Sequence, residues 1–267
     1  MQPILFVSHG GGPLPILGDP SHEDMLRAFR DLRNTLEQRF PKPDALVFIS
    51  AHWESSPIAI TSSAKPSLYY DYYGFPEEAY TLQYPAPGAP ELASQLAESL
   101  RTAKIDVQLD TTRGLDHGVF IPGKLLFPEA DIPCLQISLH PNLDPATHLY
   151  LGEQLAQLAY ENILVIGSGF SFHNMRAFFA GSDLEADQKN LAFEEWLEDT
   201  LRLDDADDRK ARLTQWEKAP HARFCHPREE HLLPLHVCVG AAQHNRISER
   251  WRFSALKKQG SCYMWIV

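Results

Sequence analysis

Twelve histidines are spread through the 267 residues, and three of them follow apolar runs in the same way. His9 comes directly after "ILFVS", His52 closes "ALVFISAH", and His173 stands a few residues past "ILVIGSG". Neutral imidazole binds zinc, iron and copper well, whereas magnesium and calcium need oxygen-rich ligand sets. Three or more histidines around an open position therefore point to catalytic zinc or ferrous iron, and the residue types alone do not choose between the two. His117 in "GLDHGVF" is a further candidate, because Gly114 and Gly118 allow close backbone approach. So is His231 in "REEHLLPLH", read here on a helix that starts near Arg228 and has Pro234 in its first turn. His226 and His236 stand five residues to either side of His231, off its helical face, and are expected to support rather than to ligate. His22, His140, His148, His221 and His244 lie in polar or loop contexts and are expected at the surface.

The glycines of "HGGGP" lack both the G-x-G-x-x-G spacing and the following Lys-Ser/Thr of a phosphate loop. Their expected role is steric, leaving clearance beside a metal. The aromatic stretch from Tyr69 to Phe75 offers rings and hydroxyls as a wall for a flat ligand. Arg176, just after "SFHN", is placed to meet a carboxylate or to stand exposed.

Elements must bring such scattered residues together. Ile4 to Ser8, Ala45 to Ser50, Pro133 to Leu139 and Ile163 to Gly167 read as buried strands, apolar without alternation. A weaker strand is read at Val107 to Leu109, and a last one in "SCYMWIV". Helical spacing appears at Asp24 to Phe40, stopped by Pro41, and at Glu91 to Arg101, Ala146 to Tyr160 and Leu184 to Leu201. The alternation implies an α/β fold: one domain over residues 1–267, with a central, mostly parallel sheet flanked by helices. Ligands in such sheets sit beyond the carboxyl ends of the strands, which is where His9, His52 and His173 fall. The stretch from Ser62 to Pro90 has no such pattern, and its aromatic content favours an ordered, functional loop.

Composition narrows the partners. A net charge of −11 argues against a nucleic-acid groove. Much of that charge lies between Asp183 and Asp208, where eleven acidic residues face two basic ones, the pattern of a solvated helical face and loop. No apolar run approaches the roughly 20 residues that cross a bilayer. The N-terminus has no basic region or signal-like segment. The four cysteines, at 134, 225, 238 and 262, show neither a C-x-x-C pair nor a framework spacing. A soluble, cytoplasmic protein is expected, with no nucleic-acid or membrane partner.

Six segments in register, "SHGGGP", "SAHWE", "YYGFPEEAYTLQYPAPGAP", "GLDHGVFIP", "GSGFSFHNMR" and "REEHLLPL", resemble the class III extradiol ring-cleavage dioxygenases. This is the family of protocatechuate 4,5-dioxygenase, and the likeness is to its DOPA 4,5-dioxygenase-like branch. The resemblance implies one divalent metal ion, Fe(II) for ring cleavage, with Zn(II) able to occupy the site, and a small aromatic diol and dioxygen as substrates. It implies His9, His52 and His231 as metal ligands, His173 as the acid/base residue or, particularly with zinc in the site, a fourth ligand, and His117 as a second active-site histidine in contact with oxygen or substrate. The third ligand is a glutamate in the protocatechuate enzymes and a histidine in the DOPA-like branch. Glu230 is the neighbouring alternative here, although on a helix it would point about 100° away from His231. Two other readings keep the histidine site: a zinc hydrolase that uses metal-bound water, and a metal-containing binding protein without ring-cleavage activity. A homo-oligomer is compatible with all three.

Overall fold

β1 (Ile4–Ser8) is buried along its whole length, as an unbroken apolar run between two layers must be. It leads into α1 (Glu23–Arg39), which buries Met25, Ala28, Phe29, Leu32 and Leu36 on one face. The helix stops because Phe40 precedes Pro41 and takes an extended conformation, at φ −129° and ψ 149°. There follow β2 (Ala45–Glu54), β3 (Ile58–Thr61), α2 (Pro90–Thr102), β4 (Val107–Asp110), α3 (His117–Leu126), β5 (Cys134–Leu139), α4 (Pro145–Leu155) and β6 (Ile163–Gly169). The last third contributes α5 (Met175–Phe179), α6 (Leu184–Leu201), α7 (Ala206–Thr214), α8 (Ala222–Cys225), α9 (Leu233–Ala242), β7 (Glu249–Ala255) and β8 (Lys258–Trp265). The computed structural model describes residues 1–180 and 183–267.

All eight strands form one sheet in the order β4-β3-β5-β2-β6-β1-β8-β7. The four central strands β5, β2, β6 and β1 are parallel, while β3 and β8 join them antiparallel on either side. The expected α/β fold with a mostly parallel sheet is therefore present. Register brings three strand ends level: Ser8 pairs with Gly169, and Ser50 with Ser168. α9 lies across β6 and β1, with α4 packed against it. A Cβ on Gly240 would stand 2.0 Å from the Leu149 carbonyl oxygen, so only glycine permits that helix contact.

Several boundaries differ from the sequence reading. β2 runs on to Glu54 through a register shift after Ile49, so His52 lies inside the strand. The last helix begins only at Leu233, with Pro234 in its first turn, and His231 therefore sits in the turn before it rather than on a helical face. α4 ends at Leu155, and the chain continues to Glu161 as a 3-10 helix. β3, α3 and β7 were not apparent from periodicity. The stretch from Ser62 to Pro90 holds one 3-10 turn, Glu77–Tyr80, and is fastened by Tyr70 and Tyr72 hydroxyls donating to the carbonyls of Leu82 and Ala79. The acidic segment is not solvated throughout, because Glu194 is buried and paired with Arg250 at 3.0 Å. The four cysteines are buried free thiols. Among the described residues, no helix is long and apolar enough to cross a membrane.

Candidate active site

Around the carboxyl ends of β1, β2 and β6 the structure gathers five of the twelve histidines, His52 from within the last part of β2 and the others from beyond the strands. His9 continues the β1–β6 ladder, its amide donating to the Gly169 carbonyl at 3.0 Å. Its Nε2 lies 3.0 Å from the Nε2 of His52, which lies 3.2 Å from the Nε2 of His231. His231 is held there because its carbonyl accepts from the Phe170 amide just past β6. His117 opens α3 with its ring centroid 3.9 Å from that of His52. His173 stacks on His231, with centroids 3.4 Å apart and planes within 13°.

Two carboxylates set how these rings face. Glu230 Oε1 lies 2.9 Å from His231 Nδ1 and 3.2 Å from His173 Nδ1. Burial raises the Glu230 carboxyl, but the hydrogen bond and charge of His173 outweigh it and hold it below the usual range. An ionised carboxylate only accepts, so both Nδ1 atoms carry hydrogens, and the neutral His231 ring presents its Nε2 lone pair. Asp71 plays the matching part on the other side. Its Oδ1 accepts from the His117 amide at 3.0 Å and from His117 Nδ1 at 2.8 Å, and its Oδ2 lies 3.5 Å from His52 Nδ1. Burial raises Asp71 too, and the His117 contacts bring it below its ordinary value.

Burial, reinforced by the neighbouring imidazoles, pushes His9, His52 and His231 well below the usual histidine range. They are therefore neutral, which is the form that binds metals. Two donors each about 2.1 Å from one ion at right angles stand about 3.0 Å apart. The Nε2 separations of 3.0 and 3.2 Å match that spacing. The Glu230 contact fixes the hydrogen of His231 on Nδ1, so its Nε2 lone pair faces the His52 ring and is available to a cation. The close sets divide the expected trio: His9, His52 and His117 offer ligand atoms within 4.8 Å of one another, and so do His173, Glu230 and His231.

Other expectations need correction. Glu230 is not turned toward the Nε2 cluster; it grips the Nδ1 sides, although not for the helical reason given above, since no helix is present there. His22 and His148 are fully buried rather than on the surface. His22 Nε2 accepts from the Gly11 amide at 3.1 Å, which occupies a donor that a phosphate would need. His148 Nε2 accepts from the His140 amide. His226 and His236 are buried and bonded to main-chain carbonyls of Ser171 and Leu213, and neither lines the cleft. Gly10 and Gly12 take left-handed conformations, φ +88° and +58°. A Cβ on Gly10 would strike Met25 and Pro15, so turn formation and packing, not clearance beside the histidines, require glycine there. Asp71 was overlooked; the one signal for it was a lone carboxylate inside "YYDYYGFP".

The histidines floor a cleft of about 460 Å³. Tyr72, Tyr73 and Phe75 wall one side, and Met175, Phe178 and Phe179 of α5 wall another. Arg176 is exposed, and its neighbours rather than Arg176 itself line the cleft.

A family model for the catalytic LigB subunit of aromatic ring-opening dioxygenases matches residues 3–262. The dioxygenase tasH of Hapsidospora irregularis is 41% identical, over 94% of this chain and 81% of that protein. A 4,5-DOPA dioxygenase extradiol of Beta vulgaris is 37% identical, over 93% of this chain and 90% of its own. A crystal structure of an uncharacterized protein from Escherichia coli K12 superposes with a TM-score of 0.78 at 28% identity, covering 99% of both chains.

Proposed function

Because the chain belongs to the family of catalytic LigB subunits of aromatic ring-opening dioxygenases, we propose that it cleaves a catechol ring beside the diol, placing both atoms of dioxygen in the product. The observation that carries this reading is the Nε2 cluster of His9, His52 and His231 on the floor of an aromatic cleft. Ferrous iron held by those three atoms would supply a Lewis acid for the diol and a redox partner for dioxygen. Zinc fits the same imidazoles but has no redox chemistry, so it would fill the site without supporting the reaction.

The remaining residues have separable tasks. His173 has its Nδ1 tied to Glu230, leaving Nε2 to take a proton from a substrate hydroxyl and return it later. His117, fixed by Asp71, faces the cleft on the His52 side and can donate to oxygen or substrate. Tyr72 and Phe75, at right angles to one another with centroids 5.4 Å apart, offer an edge and a face to a flat ring. Family membership favours this reaction over the zinc-hydrolase and binding-protein alternatives.

Anaerobic loading with ferrous iron followed by a panel of catechols in air tests the reading. Oxygen uptake and a yellow ring-opened product are expected from at least one catechol. A filled iron site that leaves oxygen untouched across the panel would overturn it.

A further inference from the structure

We infer that the cleft selects catechols whose ring substituent is uncharged and apolar, an alkyl or aryl group, over catechols bearing a carboxylate or an ammonium. This rests on the ring-cleavage reading and extends it to substrate class. The mouth of the cleft carries large apolar side chains in water: Tyr73 is 92% exposed, Phe179 74% and Met175 51%. Exposed apolar groups gathered on the rim of a site mark a surface that a ligand covers. Loop and helix both contribute to this lining, so a substituent leaving the histidine floor meets the rings of Tyr73, Phe75, Phe178 and Phe179.

Charge offers no counterpart for an ionic substituent. Among the described residues, neither lysine nor arginine lines the cleft. Arg113, close to the site, is held between the rings of Trp53 and Tyr69 and donates to the His52 carbonyl. Arg228 is spent on both carboxylate oxygens of Glu54, at 2.6 Å each. The charged lining residue is Asp71, which repels a carboxylate. Its Oδ1 already accepts twice from His117 and its Oδ2 faces His52 Nδ1 at 3.5 Å, so an ammonium would have to share it with two imidazoles. A carboxylate would thus lose water without gaining a partner and an ammonium would gain only a carboxylate shared with two imidazoles, whereas an alkyl chain would cover rings that are otherwise wet. The amino-acid side chain of 3,4-dihydroxyphenylalanine carries both charges and belongs to the disfavoured class.

The iron-loaded chain should be assayed with catechol, 4-butylcatechol, 3-(3,4-dihydroxyphenyl)propionate and dopamine. The expected kcat/KM for 4-butylcatechol exceeds that for either charged compound by about tenfold or more. Phe179→Arg and Tyr73→Lys, both at exposed positions that put little of the fold at risk, should each narrow the gap to the propionate severalfold. A wild-type ratio near or below one, or variants that leave the ratio in place, overturns the inference while consumption of plain catechol still upholds ring cleavage. If no catechol is consumed, ring cleavage fails, and calorimetric Kd values for the same panel decide this inference alone. Tighter binding of 4-butylcatechol supports it, and equal or weaker binding overturns it.

Discussion

Glu230 and Asp71 each face two histidines, one in the Nε2 cluster and one outside it. A single carboxylate can in this way fix the tautomer of a ligand and of its catalytic neighbour together. Glu230→Gln keeps the shape but loses the anionic acceptor, so iron affinity should fall about 10- to 100-fold in chelator competition. Affinity within twofold of wild type would contradict that role. For His173→Gln the expectation is different: iron content stays and turnover falls by about 100- to 10,000-fold. Loss of iron instead would make His173 a ligand. His9, His52 and His173 were legible because a strand followed by a histidine repeats along the chain, and His117 and His231 were candidates from their local sequence whose roles motif resemblance named. Their carboxylate partners were not, since Asp71 reaches His117 only across 46 residues of sequence. His22 and His148 were misread for a related reason: polar sequence neighbours say little about burial when the side chain bonds to a distant main chain.

At the scale of elements, level strand ends and one tight turn build the floor of the site. A Cβ on Gly169, the last residue of β6, would lie 2.1 Å from the His231 carbonyl oxygen. Gly169→Ala must therefore push the His231 turn outward, since both sides of that contact are backbone. The variant should lose about 2–3 kcal/mol of stability by denaturant melts, with weakened iron binding. A stable variant with unaltered iron affinity would show that the turn is not pinned there. The central strands were legible from continuous apolar runs, and α6 agrees to the residue with its periodic stretch. α3 was not, because "HGVFIPGKLL" is apolar all round and carries a proline and two glycines, leaving no amphipathic signal. The late helix was started too early because its apolar run says nothing about where a turn must bend back to β6.

At the scale of the whole molecule, seven histidines among the described residues have their basicity lowered, six of them buried (His9, His22, His148, His226, His231 and His236) and one, His52, half-buried. Burial takes His148 to about 4 and His226 to about 3, from an unfolded value of 6.5. Between those values the unfolded chain binds protons that the folded chain refuses, so stability is full above pH 6.5 and is lost as pH falls toward 4. Each such group contributes about 1.4 kcal/mol per pH unit in that window. Buried Glu194 and Asp116 are raised and act in the opposite sense, but they are two against seven. Melting temperature should thus drop steeply from pH 7 to pH 5, and a flat profile would contradict the neutral, buried state of these rings. The overall α/β plan was legible from alternating elements, whereas the antiparallel flanks of the sheet were not, because strand direction depends on connections that periodicity does not report.

Isotope labelling tests the central claim most directly. The iron-loaded protein, given a catechol it consumes under ¹⁸O-labelled dioxygen, should yield a ring-opened product containing both labelled atoms by mass spectrometry, and His52→Ala should yield none. A ring-opened product whose carboxylate carries no oxygen from dioxygen would contradict extradiol cleavage at this histidine site.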